Sequence, residues 1–274
     1  MRSVVAGALQ LPTLGMNATR MEFYLKNAAQ RGARLMLFGE YVLNHFFKEL
    51  EKMPLSMVGE QSQMHIRLLK RFSIEYAMTF VAPVVRVKSG RAYKCVVKIS
   101  GNSVRYYTQQ ILMPYRHWNE KEFFANETTP LKEPMSFTID GMKIAVISGY
   151  ELHFDPIWES IGRKKIDLVL LPTASTFGSH NRWRELIKCR AFIHGCYILR
   201  ANRLGEYNDG ENRWRFYGDS MLVKPSGEVE MMLEDRESML IEPIERSEVS
   251  QHRRAWMFEK ELALRDAIAG EEQG

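Results

Sequence analysis

The feature that most constrains this chain is the recurrence of short, nearly all-apolar runs separated by stretches of helical periodicity. Leu35-Met36-Leu37-Phe38 carries no polar side chain, and Met78 to Val85 carries almost none. Successive side chains of a strand point to opposite faces, so such runs need apolar cover on both. A layered α/β fold supplies it. Val4 to Leu11 reads as a first strand. Asn17 to Arg31 reads as a helix capped by Asn17, with Met21, Tyr24, Leu25, Ala28 and Ala29 at helical spacing, and Gly32 ends it. With Leu35–Phe38 as the next strand, a β-α-β unit opens the chain.

Further along, Gln61 to Tyr76 has helical spacing. A meander follows: Met78 to Val85, a turn at Lys88-Ser89-Gly90-Arg91, Tyr93 to Ile99, a turn at Gly101-Asn102, and Val104 to Tyr107. Gln109 to Pro134 is an irregular loop rich in aromatic and charged residues, a length that in a compact chain often serves function. Strands are predicted over Phe137–Ile139, Lys143–Ser148, Asp167–Leu171, Cys196–Ala201, Phe216–Val223 and Glu228–Leu233, and helices around Pro156–Gly162 and over Trp183–His194. Ser250 to Ala269 reads as one amphipathic helix. No repeat or linker divides the chain, so 1–250 is expected as a single domain and 251–274 as a tail.

Composition narrows the function. Of 274 residues 45% are apolar, enough to bury a sizeable core and too many for a disordered chain. The charge, 38 basic against 33 acidic groups, is mild. No long run of like charge accompanies the pI of about 9.0, so no nucleic-acid partner is expected. No apolar stretch approaches the roughly 18 residues of a membrane span. Gln10 and Pro12 interrupt the only stretch that resembles a signal peptide. Cys95, Cys189 and Cys196 are too few and odd in number for a disulfide framework; they read as small core residues, and a cytoplasmic setting is expected.

Several local arrangements together resemble one family. Gln10-Leu11-Pro12, Leu37-Phe38-Gly39-Glu40, the stretch Ile144 to Phe154, Leu170-Leu171-Pro172-Thr173-Ala174, Arg190-Ala191 and Ala201-Asn202-Arg203, with Gly218-x-Ser220 and Pro225-x-Gly227, are similar in order and spacing to the nitrilase superfamily of carbon-nitrogen hydrolases. The resemblance implies a single-domain α/β fold, an αββα sandwich that forms homodimers or higher homo-oligomers. It also implies a Glu-Lys-Cys triad acting on amides, nitriles or carbamoyl compounds, with no cofactor.

Carried over by position, the triad acid is Glu40. A second glutamate is Glu120, and counting back from it puts the lysine position on Gln109, which brings no charge. The nucleophile's turn reads Ser148-Gly149-Tyr150-Glu151, so Gly149 stands where the cysteine is expected, and glycine can form no acyl-enzyme. Strand alternation predicts that the neighbouring Ser148 points its hydroxyl elsewhere. Trp118, Phe124 and Tyr150 are expected to line a pocket for a small amide- or carboxylate-like ligand. His117 and His153 lack partners at ligand spacing, so no metal is expected. Three readings follow: a binding protein that has lost covalent hydrolysis, a hydrolase using water activated by Glu40, and an oligomeric assembly subunit. A different hydroxyl or thiol within bonding reach of Glu40 would overturn the inactive reading and put an unconventional catalyst in its place.

Overall fold

In the computed structural model, which describes residues 3–271, two six-stranded sheets stack face to face. The first half runs through β1 (Ser3–Gln10), α1 (Ala18–Gln30), β2 (Leu35–Phe38), α2 (Phe47–Leu50), α3 (Leu55–Glu75), β3 (Thr79–Lys88), β4 (Arg91–Ser100) and β5 (Ser103–Thr108). A small hairpin, β6 (Pro114–Tyr115) with β7 (Trp118–Asn119), leads into one turn of helix, α4 (Glu120–Phe123). The second half continues with β8 (Met135–Ile139), β9 (Met142–Val146), α5 (Asp155–Arg163), β10 (Leu168–Thr173), α6 (His180–His194) and β11 (Tyr197–Asn202). The hairpin β12 (Leu204–Asn208) and β13 (Arg213–Tyr217) precedes β14 (Met221–Val223), β15 (Val229–Met232), β16 (Ser238–Glu245), α7 (Arg246–Trp256) and α8 (Phe258–Glu271). The sheets have the orders β16-β1-β2-β3-β4-β5 and β15-β14-β11-β10-β9-β8, so β16 carries the chain back to pair antiparallel with β1.

The apolar runs explain the layering residue by residue. Leu35 and Leu37 face the other sheet, joining Ala6, Ala8, Val146, Leu168 and Leu170 in the central core. Their neighbours Met36 and Phe38 face outward into α1 and α3, against Met21, Leu25, Leu69 and Phe72. On the second sheet Val169 and Leu171 likewise meet Trp158 and Ile161 of α5 and Ile187 and Ala191 of α6. The order helix, sheet, sheet, helix is the αββα sandwich implied above.

The differences are local and have physical causes. Asn17 does cap α1, accepting from the Arg20 N–H at 3.0 Å, whereas α3 begins at Leu55, six residues before the predicted Gln61, directly after Pro54. The run Phe216–Val223 is two strands: Gly218 (φ 73°) and Asp219 (φ 68°) turn the backbone, sending β13 into a hairpin and β14 into the second sheet. The predicted C-terminal helix is also two, broken at Met257 (φ 55°), and Val249 of α7 lies in the central core, so the boundary at 250 falls inside a packed helix. Cys95 and Cys196 are buried as expected; Cys189 is exposed.

Candidate active site

The end of β2 delivers Glu40 between the two sheets, and Gly39 lets it approach. A Cβ at position 39 would stand 3.0 Å from the Arg203 backbone nitrogen and 3.2 Å from the Asn202 carbonyl carbon, just past the end of β11. The Glu40 N–H donates to the Thr173 carbonyl at 3.1 Å, tying the sheet ends together. The carboxylate, 1% exposed, accepts from the Lys94 ammonium (3.0 Å), the Gly149 N–H (3.1 Å) and the Ser148 hydroxyl (3.0 Å). Burial raises the Glu40 pKa; Lys94 opposes the rise and Glu120 adds to it.

Lys94 corrects the sequence reading, which left the site without a cation. Its Nζ lies 3.0 Å from Glu40 and 2.7 Å from Glu120, and 5.1 Å from the centre of the Tyr41 ring. It projects from β4 beside the position expected to carry the charge, since the Gln109 N–H donates to the Lys94 carbonyl at 3.0 Å. Burial alone would lower the Lys94 pKa, but the two carboxylates outweigh it and hold the group above its ordinary value. Glu120, fully buried at the start of α4, also accepts from the Tyr41 hydroxyl (2.7 Å) and the Trp118 indole N–H (3.1 Å). Tyr41 holds a left-handed backbone (φ 57°), a strained conformation of the kind that concentrates at functional sites.

Gln109 does not take up the expected role. Its amide nitrogen donates to the Ile111 carbonyl (2.7 Å) and its oxygen accepts from Ser148 (2.8 Å), and it does not line the cavity described below. Ser148 is a second correction. Strand β9 stops at Val146, two residues short of the predicted end, and a 3-10 turn over Gly149–His153 follows. Alternation therefore no longer governs residue 148, and its hydroxyl turns to Glu40 and Gln109, its single proton serving one acceptor at a time. Distance alone thus meets the condition against the inactive reading. Yet Ser148 does not line the cavity, whereas Gly149 does. The turn is held by Glu151, a residue the sequence reading left out of the site. Its carboxylate accepts from the Ser148 N–H (2.8 Å), the Gln110 N–H (2.7 Å) and the Tyr107 hydroxyl (2.8 Å). Burial pushes the Glu151 pKa up to about 7 against those hydrogen bonds.

Glu40 and Gly149 form part of the lining of a cavity of about 440 Å³. Trp118 and Tyr150 line it as expected, joined by His117 and His153. Phe124 does not: it packs edge-on against Phe123 (4.8 Å) and lines a separate surface groove with Lys121 and Glu122. An aromatic in a loop carries no directional signal, and here the turn of α4 points it away. His117 stacks on Tyr115, His153 packs edge-on against Trp183, and His45 sits 3.3 Å from Glu49 outside the cavity. Among the described residues no three metal-ligating side chains converge.

A sandwich of this topology, with a buried glutamate, lysine and second glutamate at its sheet ends, is matched by the carbon-nitrogen hydrolase family profile over residues 5–254, and the chain belongs to that family. It is 19% identical to N-carbamoylputrescine amidase of Arabidopsis thaliana, covering 93% of this chain and 91% of that protein. Among solved structures, the carbon-nitrogen hydrolase from Helicobacter pylori G27 superposes with a TM-score of 0.80 at 18% identity, covering 93% of this chain and 94% of that one. An amidase mutant from Nesterenkonia sp. AN1 superposes at 0.73 and 17% identity, over 93% and 95% of the chains; it carries the acetamide moiety of fluoroacetamide covalently at its active site cysteine.

Proposed function

We propose that this protein binds a small amide-, nitrile- or carbamoyl-type ligand in the cavity at Glu40 and forms no covalent intermediate with it. What supports this is the bare backbone of Gly149 at the cavity wall, its N–H 3.1 Å from Glu40, with Ser148 not among the lining residues. The amidases among its relatives favour an amide-type ligand. Glu40 accepts an amide N–H, the aromatic side chains cover the ligand's apolar body, and the volume suits a small molecule. Incubation with a panel of amides, nitriles and carbamoyl compounds should give saturable binding by calorimetry, no release of ammonia and no adduct by mass spectrometry. Steady turnover abolished by Glu40→Gln would overturn the non-catalytic part.

One observation favours a second reading. The buried Glu40, its pKa raised, faces space that a larger residue at 149 would occupy. A water held there would add to the carbonyl carbon, giving its proton to Glu40, which returns it to the departing nitrogen as the C–N bond breaks. Ammonia would then appear with solvent oxygen in the acid product, still without an adduct. We also propose homo-oligomerisation, supported by the exposed Trp256, Met257, Leu262 and Leu264 of the last two helices and the break between them. Light scattering on the full chain and on a truncation after Ser250 tests it, since a monomeric full chain excludes it.

A further inference from the structure

A second cleft, of about 500 Å³, shares no lining residue with the cavity at Glu40, yet three of its residues bond directly to the turn at 148–151. The Tyr107 hydroxyl (2.8 Å) and the Gln110 N–H (2.7 Å) donate to Glu151, and the Gln109 side-chain oxygen accepts from Ser148 at 2.8 Å. A ligand that fixes these residues from the cleft also fixes the turn that carries Gly149. The charges of the cleft say what it suits. Arg86, Lys88 and Lys132 line it and make no ion pair with any described residue. Of its two carboxylates Glu133 is held by Lys164 at 2.6 Å, which leaves Glu127 against three cations. A second observation concerns shape. The Arg86 guanidinium lies 4.6 Å from the centre of the Tyr106 ring, a stacking that leaves its N–H donors in their own plane for a carboxylate or phosphate. Tyr93, paired with Arg86 across β3 and β4, adds another ring to the lining.

From the excess of unpaired cations beside tyrosine rings, we propose that this cleft is a second binding site, for a small aromatic phosphate, and that its occupant holds the turn at 148–151 against opening. The ring packs on Tyr93 and Tyr106. The dianion takes hydrogen bonds from Arg86, Lys88 and Lys132. The site does not depend on whether the cavity at Glu40 takes an amide.

Phenyl phosphate, inorganic phosphate and benzyl alcohol, titrated into the full chain by calorimetry, separate the dianion from the ring. Phenyl phosphate is expected to bind about tenfold tighter than phosphate, the size of one stacked ring, and tighter than benzyl alcohol by more. Adenosine monophosphate in the same titration distinguishes a nucleotide from a single ring as the better occupant. Arg86→Gln and Lys132→Gln, both at exposed positions, should each weaken phenyl phosphate about tenfold, one charge-assisted hydrogen bond apiece. Hydrogen exchange read by mass spectrometry then follows the Ser148 N–H, which donates to Glu151 and does not line the cleft. At ten times its Kd, phenyl phosphate should slow that exchange about tenfold, because the opening that frees the amide also takes the cleft apart. Equal affinity for phenyl phosphate and phosphate, affinity unmoved by both substitutions, or no binding at all overturns the site. Binding that leaves the Ser148 exchange unchanged overturns its hold on the turn.

Discussion

The acid-cation cluster and the turn that faces it are built on opposite terms. Glu40, Lys94 and Glu120 come from three separate elements, all buried, and their charges are met by one another and by Tyr41 and Trp118. The turn at 148–151 is held as firmly, through Glu151, but presents only backbone to the cavity at Gly149. The difference lies in what each kind of chemistry tolerates. A lysine's charge sits on a flexible four-carbon stem, so a residue on a neighbouring strand can bring it between the same two carboxylates. A nucleophile must stand at one backbone position, and the neighbouring hydroxyl of Ser148 is engaged with Glu40 and Gln109 and is not part of the cavity lining.

If the cluster depends on mutual pairing, removing its cation should have the largest effect of any change at the site. Lys94→Met leaves two carboxyl groups buried around an apolar tip, and breaking a buried pair in this way costs about 3–5 kcal/mol. Urea unfolding of the two proteins measures it. Glu120→Gln in the same chain should recover part of the loss, the signature of direct coupling. A loss below about 1 kcal/mol, the range of solvated pairs, would show that the cluster is not held by its charges.

The turn has its own anchor, and pH tests it. Glu151 has a pKa of about 7 in the folded protein against an ordinary 4.5. Between those values the folded state binds more protons than the unfolded, so its contribution to stability is full below about pH 4.5 and is lost as pH rises through 7. Two and a half units correspond to about 3 kcal/mol. His65 and His194, lowered to about 4 by burial, work in the opposite sense, adding stability as pH rises from 4 to 6.5. The informative quantity is therefore the stability of wild type minus that of Glu151→Gln, which should fall by about 3 kcal/mol from pH 4.5 to 8. A difference that stays flat would mean that Glu151 ionises as a solvated acid and does not anchor the turn.

Which of these features can be read from the sequence follows from the range of the interactions. The strands and their burial are local, because an apolar run such as Leu35–Phe38 states its own need for two covered faces. Glu40 and Glu120 are legible only through the resemblance to the family, whose pattern places its two glutamates at a strand end and in the loop after the meander. Lys94 carries no local mark. It alternates with Tyr93 and Cys95, which face the helices, and so shares a strand face with Val96; that face becomes interior only when the second sheet covers it. A lysine sharing a face with an apolar residue on a central strand is the signal that would have found it. Ser148 was misread for a different reason. Alternation holds only while the strand lasts, and β9 ends two residues earlier.

The sharpest test of the comparison is the smallest change. Gly149→Cys places a Cβ 3.1 Å from a Glu40 carboxylate oxygen, 3.2 Å from the Pro172 carbonyl oxygen and 3.4 Å from the Thr173 methyl. Position 149 is not among the left-handed residues, so the backbone accepts a side chain once its neighbours yield by a few tenths of an ångström. Overpacking of this kind costs about 1–3 kcal/mol. The new sulfur would lie beside an acid able to take its proton. Cys189 is exposed and labels on its own, so the experiment belongs in a Cys189→Ala background. Fluoroacetamide should add one acetamide moiety to residue 149, and Glu40→Gln in the same chain should slow that addition. If the variant folds and residue 149 stays unlabelled, more than a missing side chain separates this turn from a covalent catalyst, and the contrast between an intact cluster and a bare turn fails at its second half.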